Sequence, residues 1–167
     1  MKRILIFIFA MSIFNSCTTE EIVEVRESNF LFEAPAFEIE NVSFNPSANF
    51  DNDYRVREFY GFEVLPTDVT LVYILWETLD NGTEIWRQVP QTVIFNDGND
   101  LVYNFDFTQT YVDFFLEGSD LDNLDPIWTQ NQTYRVVIIP SNNVGRVDFS
   151  SLENVMELYG ITEFEKR

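Results

Sequence analysis

Most of the chain beyond Ala36 shows the alternation of apolar and polar positions that is typical of β-strands. In "FEIENVSF" the alternation changes phase near Asn41, which predicts a β-bulge there. Two segments, "VTLVYILW" and "TYRVVII", are apolar at odd and even positions alike. Each is therefore predicted to be a central strand that is covered on both faces.

Two short loops predict β-hairpins. Asn81-Gly82 is a strong signal for a two-residue turn with positive φ at both residues. Such a turn places Trp76 opposite Arg87, and a cation–π contact between these two side chains is expected. Asp97-Gly98 marks the second hairpin, whose return strand "LVYNFDF" alternates as a half-buried strand does.

One helix is predicted close to the C-terminus. Ser150 and Glu153 have the spacing of a capping box, and Gly160 follows as a C-cap. The apolar face of this helix consists of Leu152, Val155, Met156 and Tyr159. About eight short strands with regular turns predict an all-β fold, namely an immunoglobulin-like or jelly-roll-like antiparallel β-sandwich with a short C-terminal helix. A small barrel is the alternative.

The N-terminus has a different pattern. A short basic start precedes the apolar run "ILIFIFAMSIF", which is too short to cross a bilayer and is typical of a secretory signal peptide. The only cysteine of the chain, Cys17, follows at once, and "FNSC" resembles a bacterial lipobox. The resemblance implies that residues 1–16 are a lipoprotein signal peptide and that Cys17 is lipidated with fatty acyl chains such as palmitate. Phe14 and Asn15 depart from the usual residues of that motif.

The remaining chain divides into two parts. Residues 17–35 are predicted to be the lipidated cysteine and a flexible acidic tether, and residues 36–167 a single β-sandwich domain. The pair Glu20-Glu21 resembles the surface-export signal of lipoproteins in the Bacteroidota, although an ordinary charged tether would look the same. The expected location is the outer membrane, with the lipid-anchored domain facing the cell surface.

Four segments carry a wider resemblance: "EIWRQVPQTVIFNDG", "LVYNFDFT", "DPIWTQNQTYRVVIIP" and "ENVMELYGI". With them, the chain from about Phe59 onward resembles a family of flavobacterial and related lipoproteins for which no activity is known. Some relatives have a collagen-like segment, which is absent here, and some carry a dihydrolipoamide dehydrogenase label. That activity would need a redox cysteine pair and a GxGxxG turn, whereas this chain has one cysteine and six scattered glycines.

Charge and composition exclude several classes of function. The formal net charge is −18, which repels nucleic acid phosphates, and no basic patch offsets it. The 46% apolar content and 17 phenylalanines argue against disorder despite this acidity. Histidine, the commonest general base and transition-metal ligand, is absent. The chain is therefore expected to be neither an enzyme nor a cofactor-binding protein.

Candidate binding residues lie in the loop before the last long strand. Trp128 in "DPIWTQNQ" is expected to be the most exposed tryptophan, with Gln130 and Asn131 as hydrogen-bonding partners for ligand hydroxyls. Trp76, Trp86 and Trp128 together would form a stacking platform for sugar rings, and the alternative is that they pack in the core. The same loop offers Asp120, Asp122 and Asp125 as oxygen ligands for Ca²⁺, although it does not match an EF-hand.

The expected function is therefore that of a lipid-anchored, non-enzymatic domain that acts by binding or by structural accessory contacts. A carbohydrate- or peptide-binding module that uses the loop around Trp128 is the alternative. A hydrolase with two paired carboxylates is a third hypothesis, since 28 acidic residues offer many pairs but no preferred one. The membrane is the expected partner through the anchor, and a glycan or an envelope protein is the expected ligand.

Overall fold

The computed structural model describes residues 34–50, 53–141 and 148–167, all within one compact unit, Leu31–Arg167. The predicted signal peptide, Cys17 and all but the end of the predicted tether lie outside the described residues. The strands are β1 (Ala36–Val42), β2 (Arg55–Phe59), β3 (Val69–Thr78), β4 (Glu84–Gln88), β5 (Gln91–Ile94), β6 (Asp100–Phe107), β7 (Tyr111–Gly118), β8 (Gln132–Ile139) and β9 (Glu165–Lys166). The helices are α1 (Pro126–Thr129) and α2 (Leu152–Tyr159).

The strands form two sheets that face each other. The first has the order β4-β3-β8-β1-β9, and the second has the order β2-β7-β6-β5. Neighbouring strands are antiparallel, apart from the short β9, which runs parallel to β1. The predicted all-β antiparallel sandwich with a short C-terminal helix is therefore confirmed. The alternative prediction, a small barrel, does not match the two separate sheets.

An aromatic-rich core fills the space between the sheets. Phe114 of β7 and Tyr134 of β8 stack across it with ring centroids 4.4 Å apart and ring planes 14° apart. Alternate residues of every long strand contribute to this inter-sheet core, as the period of two requires. Each fully buried apolar side chain of this size stabilises the fold by roughly 1.5–3 kcal/mol.

A second, smaller core lies between the first sheet and α2. Leu71 and Tyr73 of β3 point into it, whereas Val72 and Ile74 point into the inter-sheet core. The Tyr73 hydroxyl also donates to the Phe149 carbonyl oxygen at 2.6 Å, which fixes the approach to α2. Alternate side chains of β8 likewise point into the two cores. Both predicted central strands are confirmed, and their continuous apolar sequence is explained by burial on both faces.

The first hairpin differs from its prediction in loop length. The Leu79 amide donates to the Thr83 carbonyl oxygen, which closes a loop of three residues instead of two. Only Gly82 has a positive φ, at 83°, and the expected positive φ at Asn81 is wrong. The second hairpin, with Gly98 at φ 93°, has the same three-residue form. In each loop the glycine takes the left-handed position that completes the three-residue turn.

The predicted helix is confirmed over Leu152–Tyr159, but its N-cap is one residue later than predicted. Ser151 is the N-cap, and its hydroxyl accepts a hydrogen bond from the Asn154 amide at 3.3 Å. The predicted cap, Ser150, instead donates its hydroxyl hydrogen to Asp148 at 2.6 Å. The helix ends at Gly160, whose φ of 64° confirms the predicted C-cap.

The register of the first sheet defines its two ends. At the proximal end, where the described chain begins, Ala36 pairs with Val137 and Val69 pairs with Ile139. At the distal end, Val42 of β1 pairs with Gln132 of β8. The pairing of β1 shifts between Ile39 and Val42, with Asn41 at φ 61°, so the predicted bulge near Asn41 is confirmed.

Candidate ligand-binding groove

The residues predicted to bind a ligand lie in or just after α1 at the distal end: Trp128, Gln130 and Asn131. The local sequence explains why this helix begins where it does. The Asp125 carboxylate accepts a hydrogen bond from the Ile127 amide at 3.0 Å and so caps the helix. Pro126 occupies the first turn, where its missing N–H removes no helical hydrogen bond.

Trp128 is held against the rest of the sandwich on one side. Its indole packs edge-on against the Phe95 ring at a centroid distance of 5.4 Å. The Tyr103 hydroxyl donates to the Trp128 carbonyl oxygen at 2.8 Å. The indole is half-buried, as are those of Trp76 and Trp86, so none of the three tryptophans is fully exposed, and the greater exposure expected for Trp128 stays a prediction.

Backbone hydrogen bonds fix the segment that follows α1. The Phe44 amide donates to the Thr129 carbonyl oxygen at 2.7 Å, and the Asn131 amide donates to the Ser43 hydroxyl at 3.2 Å. Asn131 has φ 54°, a left-handed conformation that asparagine adopts more readily than most residues. The two amide side chains predicted as ligand contacts are thus carried on an ordered backbone.

Gln130 and Asn131 line an open groove of about 490 Å³. Its opposite wall is the end of β3, with Trp76, Glu77 and Thr78. The groove also contacts Leu75, Pro126, Ile127 and Gln132. A concave site of this volume, with apolar walls and a few polar groups, has the size and lining of small-ligand sites. We call it the amide groove.

The amide groove exposes hydrogen-bond acceptors, and the Asn131 side-chain amide also offers N–H donors. The Gln130 side-chain nitrogen donates to the Phe44 carbonyl oxygen at 3.1 Å, and that of Gln132 donates to the Ile127 carbonyl oxygen at 2.9 Å. Within the described ranges, the side-chain oxygens of Gln130 and Gln132 accept no hydrogen bond. The Asn131 side chain makes no hydrogen bond there either. These oxygens, together with the Glu77 carboxylate, are therefore available to groups that donate hydrogen bonds.

A smaller recess of about 170 Å³ adjoins the amide groove and shares Trp76, Ile127 and Gln132 with it. Tyr103 and Trp128 also line it, together with Ile74 and Leu75. The Trp76 ring meets the Tyr103 ring edge-on at 6.4 Å. The structure thus brings Trp76 and Trp128 together at one aromatic-lined end of the groove.

Trp76 faces the same side of the first sheet as Val72 and Ile74, and β3 has an irregularity beside it. The pairing of β3 with β4 shifts between Leu75 and Glu77, and Arg87 pairs with Ile74. The predicted pairing of Trp76 with Arg87 is therefore wrong. The predicted cation–π contact is nevertheless present, since the Arg87 guanidinium carbon lies 4.0 Å from the Trp76 ring centroid.

Trp86 does not join the other two tryptophans. The Trp86 ring packs against the smaller core between the first sheet and α2. The Arg135 guanidinium carbon lies 4.0 Å from the centroid of this ring. Its indole nitrogen donates to the Glu84 carboxylate at 3.1 Å. The three tryptophans therefore do not form one platform, because the sheet separates Trp86 from Trp76.

Each of the three aspartates proposed as calcium ligands has a partner within the protein. Asp120 accepts hydrogen bonds from the Asn123 amide, and Asp125 caps α1. The Asp122 carboxylate accepts the Tyr54 hydroxyl at 2.6 Å, and this hydrogen bond raises the pKa of Tyr54 to about 12. Over the residues that the structure describes, no three acidic or cysteine side chains are grouped to hold a metal ion. The calcium site stays a prediction without structural support.

The sequence indicated one wall of the groove and, of the opposite wall, only Trp76. Glu77, Thr78 and the tip of α1 at Ile127, which is 72% exposed, were not predicted as site residues. The available signal was that Glu77 and Thr78 directly follow the apolar run that ends at Trp76. Gln132 follows Trp128 by four residues in the sequence, but its position at the start of β8 is visible only in the structure.

None of the helices in the described part of the chain has the length and apolar character needed to cross a bilayer. Comparison with known proteins yields no matching family model, no similar curated protein and no similar solved structure.

Proposed function

We propose that the chain is a lipid-anchored, non-enzymatic binding domain of the bacterial outer membrane, and that its amide groove holds a neutral glycan. The observation that carries the ligand proposal is the acceptor-rich lining of the groove beside the apolar surfaces of Trp76 and Ile127. A sugar ring presents the matching chemistry, with hydroxyl donors at its edge and an apolar face.

Charge supports a neutral ligand over an acidic one. Glu77 is the charged residue of the lining, and the chain as a whole has a net charge of −18. A carboxylate or sulfate group on the ligand would be repelled by both. A basic peptide would also satisfy these acceptors, which makes it the natural comparison in a binding experiment.

A binding role without catalysis is supported by what lines the groove. Glycoside hydrolysis generally uses two carboxyl groups roughly 5–9 Å apart, and the lining contributes one carboxylate, that of Glu77. The sequence contains no histidine to act as a general base. The third hypothesis, a hydrolase, therefore gains no support from this site.

The placement of the groove suits an anchored domain. The described chain begins at Ala34, at the proximal end, and the groove lies at the distal end. An anchor attached upstream of Ala34 is thus joined to the end of the domain that is remote from the ligand.

The ligand proposal is tested by an array of neutral and acidic oligosaccharides, with a lysine-rich peptide as a further probe. We expect neutral sugars to bind and acidic sugars to bind less. Trp76→Ala should weaken binding at least about tenfold, or roughly 1.4 kcal/mol. Trp86→Ala is the matched control, since this tryptophan is also half-buried and stacked under an arginine, but on the other face of the sheet.

A second variant guards against unfolding as the cause of lost binding. Asn131→Gly removes a groove side chain and suits the local left-handed backbone, so it should weaken binding with little loss of stability. Sugar binding that survives both Trp76→Ala and Asn131→Gly would contradict the groove, and binding of the peptide alone would contradict a glycan ligand.

The anchor is tested by fractionating cells that express the wild type or Cys17→Ala. The wild type should be recovered with the outer membrane and be cleaved by protease added to intact cells. Recovery of both proteins in the same soluble fraction would contradict the lipid anchor.

A further inference from the structure

Exposed apolar side chains are concentrated at the proximal end of the domain. Large apolar side chains that are exposed within the described residues number eight. Five belong to the proximal end, and we call them the proximal patch: Phe59, Phe62, Leu65, Val69 and Phe107. The most exposed members, Phe59 and Leu65, are each 63% accessible. Exposed apolar side chains that are grouped at one end of a domain commonly mark a contact with a partner or a membrane.

Hydrogen bonds between two loops bring most of these side chains together. The connection from β2 to β3 lies along the turn from β6 to β7, where the Tyr60 amide donates to the Thr110 carbonyl oxygen at 3.0 Å. The Val64 amide donates to the Gln109 carbonyl oxygen at 2.7 Å. A shared cavity of about 290 Å³ is lined by Leu65 and Phe107, among others.

The remaining members extend the patch on both sides. The Phe59 ring packs edge-on against the half-buried Tyr111 ring at 5.9 Å, and the Phe62 ring stacks on the buried Tyr60 ring at the same distance. Val69 begins β3 beside the same loop. Buried rings therefore support exposed ones, which keeps the patch in place.

The described chain begins at this same end. The Ile138 amide donates to the Pro35 carbonyl oxygen at 2.9 Å on one side of β8, and Val69 pairs with Ile139 on its other side. Strands that flank a common neighbour lie about 10 Å apart. The first described residues and the patch are thus close neighbours.

We propose that the proximal patch contacts the surface of the lipid bilayer in which the chain is anchored. This inference rests on the lipid anchor of the proposed function. From Cys17 to Ala34 the chain could span at most roughly 60 Å, so the anchor would hold the patch at a high local concentration of lipid. Weak insertion of a few phenylalanine and leucine side chains then suffices, because the anchor supplies the main affinity.

Nearby acidic residues restrict the kind of lipid surface. Glu58, Glu63 and Asp68 lie in or beside the loop that carries the patch, against the nearby cation Arg167, whose guanidinium donates to the Tyr60 carbonyl oxygen at 2.9 Å. The local charge is therefore acidic on balance, and anionic head groups would be repelled. Electrically neutral head groups, such as phosphatidylcholine, are the appropriate partner. A protein partner would use the same apolar surface without needing lipid, and the experiment below separates the two.

The test uses the full lipidated protein on phosphatidylcholine vesicles. The thiol of Cys17 is acylated, so Leu65→Cys provides one reactive thiol for a nitrobenzoxadiazole dye. Thr78→Cys, exposed at the distal end, is the matched control. Spin-labelled phosphatidylcholine should quench the dye at position 65 several-fold more strongly than the dye at position 78.

Three other results would overturn the proposal in distinguishable ways. Equal, weak quenching at both positions, with protein still floating with the vesicles, would show that the patch does not meet lipid and would favour a protein partner. Protein that fails to float would contradict the anchor itself. Quenching at position 65 that is unchanged by Phe59→Ser together with Phe62→Ser would show that the patch is not what inserts.

Discussion

At the scale of single residues, Asp113 is the more deeply buried of the two buried carboxylates in the described structure, the other being Glu38. Its side chain is only 4% exposed on the outer face of the second sheet. Arg57 donates two hydrogen bonds of 2.7 Å to it, and Arg55 donates a third of 3.2 Å. Both guanidinium groups also lie over aromatic rings, those of Tyr111 and Phe115. The burial of this carboxylate is therefore compensated by charge-assisted hydrogen bonds.

Removing this carboxylate should destabilise the domain. Asp113→Ala leaves two partly buried arginines without their common partner, and we expect it to lower the free energy of unfolding by about 2 kcal/mol. Asp106→Ala is the matched control, because Asp106 also binds Arg55 at 3.2 Å but is 63% exposed. Asp106→Ala should lower the free energy of unfolding by less than about 1 kcal/mol. Urea denaturation measures the unfolding free energies of both variants. Equal losses in Asp113→Ala and Asp106→Ala would contradict a special role for the buried carboxylate.

A second prediction at this scale concerns Tyr54. Its hydroxyl donates to Asp122, and the resulting pKa of about 12 lies above the ordinary value of 10.0. In Asp122→Ala the pKa of Tyr54 should return toward its ordinary value. The difference in tyrosinate absorbance between each protein and its Tyr54→Phe derivative follows this one group. A pKa of Tyr54 that does not change in Asp122→Ala would contradict the assigned hydrogen bond.

The same shift has a defined effect on stability. The folded state holds the Tyr54 proton more tightly than the unfolded state, so this hydroxyl stabilises the fold fully below about pH 10. Its contribution is lost as the pH rises through about 12. The difference in unfolding free energy between the wild type and Tyr54→Phe should therefore shrink over that interval. A difference that stays constant across it would contradict the linkage.

At the scale of elements, the end of the β6–β7 pair depends on Gly118. A Cβ there would lie 2.4 Å from the Asp100 carbonyl oxygen and 2.9 Å from Leu121. Gly118→Ala should therefore separate the strands locally and lower the free energy of unfolding by about 2 kcal/mol. Gly160→Ala, which faces open space but has a positive φ, should cost about 1 kcal/mol. Thermal unfolding that ranks these two variants the other way would contradict this account.

Elements that are governed by burial could be predicted from the sequence. The continuous apolar runs of β3 and β8 correctly indicated two covered faces, and the phase change near Asn41 correctly indicated a bulge. Loop details were less predictable. Asn81-Gly82 suits both two- and three-residue turns, and adjacent serines at 150 and 151 offer two equivalent caps. The choice between such alternatives depends on how the finished elements pack.

The groove could be predicted only in part, for a related reason. Trp128, Gln130 and Asn131 stand in one loop, so their polar and aromatic chemistry is visible in the sequence. The opposite wall comes from residues about fifty positions earlier, brought there by the pairing of β3 with β8. The separation of Trp86 from Trp76 likewise follows from strand pleating and register. The positions of the tryptophans in the sequence do not reveal on which face of the sheet each one lies.

At the scale of the whole molecule, the two ends of the domain differ in chemistry. The distal end carries the amide groove, and the proximal end carries the first described residues and the proximal patch. This polarity fits a domain that is held at one end and binds a ligand at the other. It also predicts that Trp76→Ala alters glycan binding without altering membrane recovery, whereas Cys17→Ala does the reverse. Loss of both properties in either variant would contradict this division.

The lipid anchor is the central claim at this scale, and intact mass spectrometry of protein purified from membranes tests it most directly. The account predicts a mature chain that begins at Cys17 and carries the added mass of fatty acyl chains. A chain that begins at Met1, or one that begins at Cys17 with no added fatty acid, would contradict it.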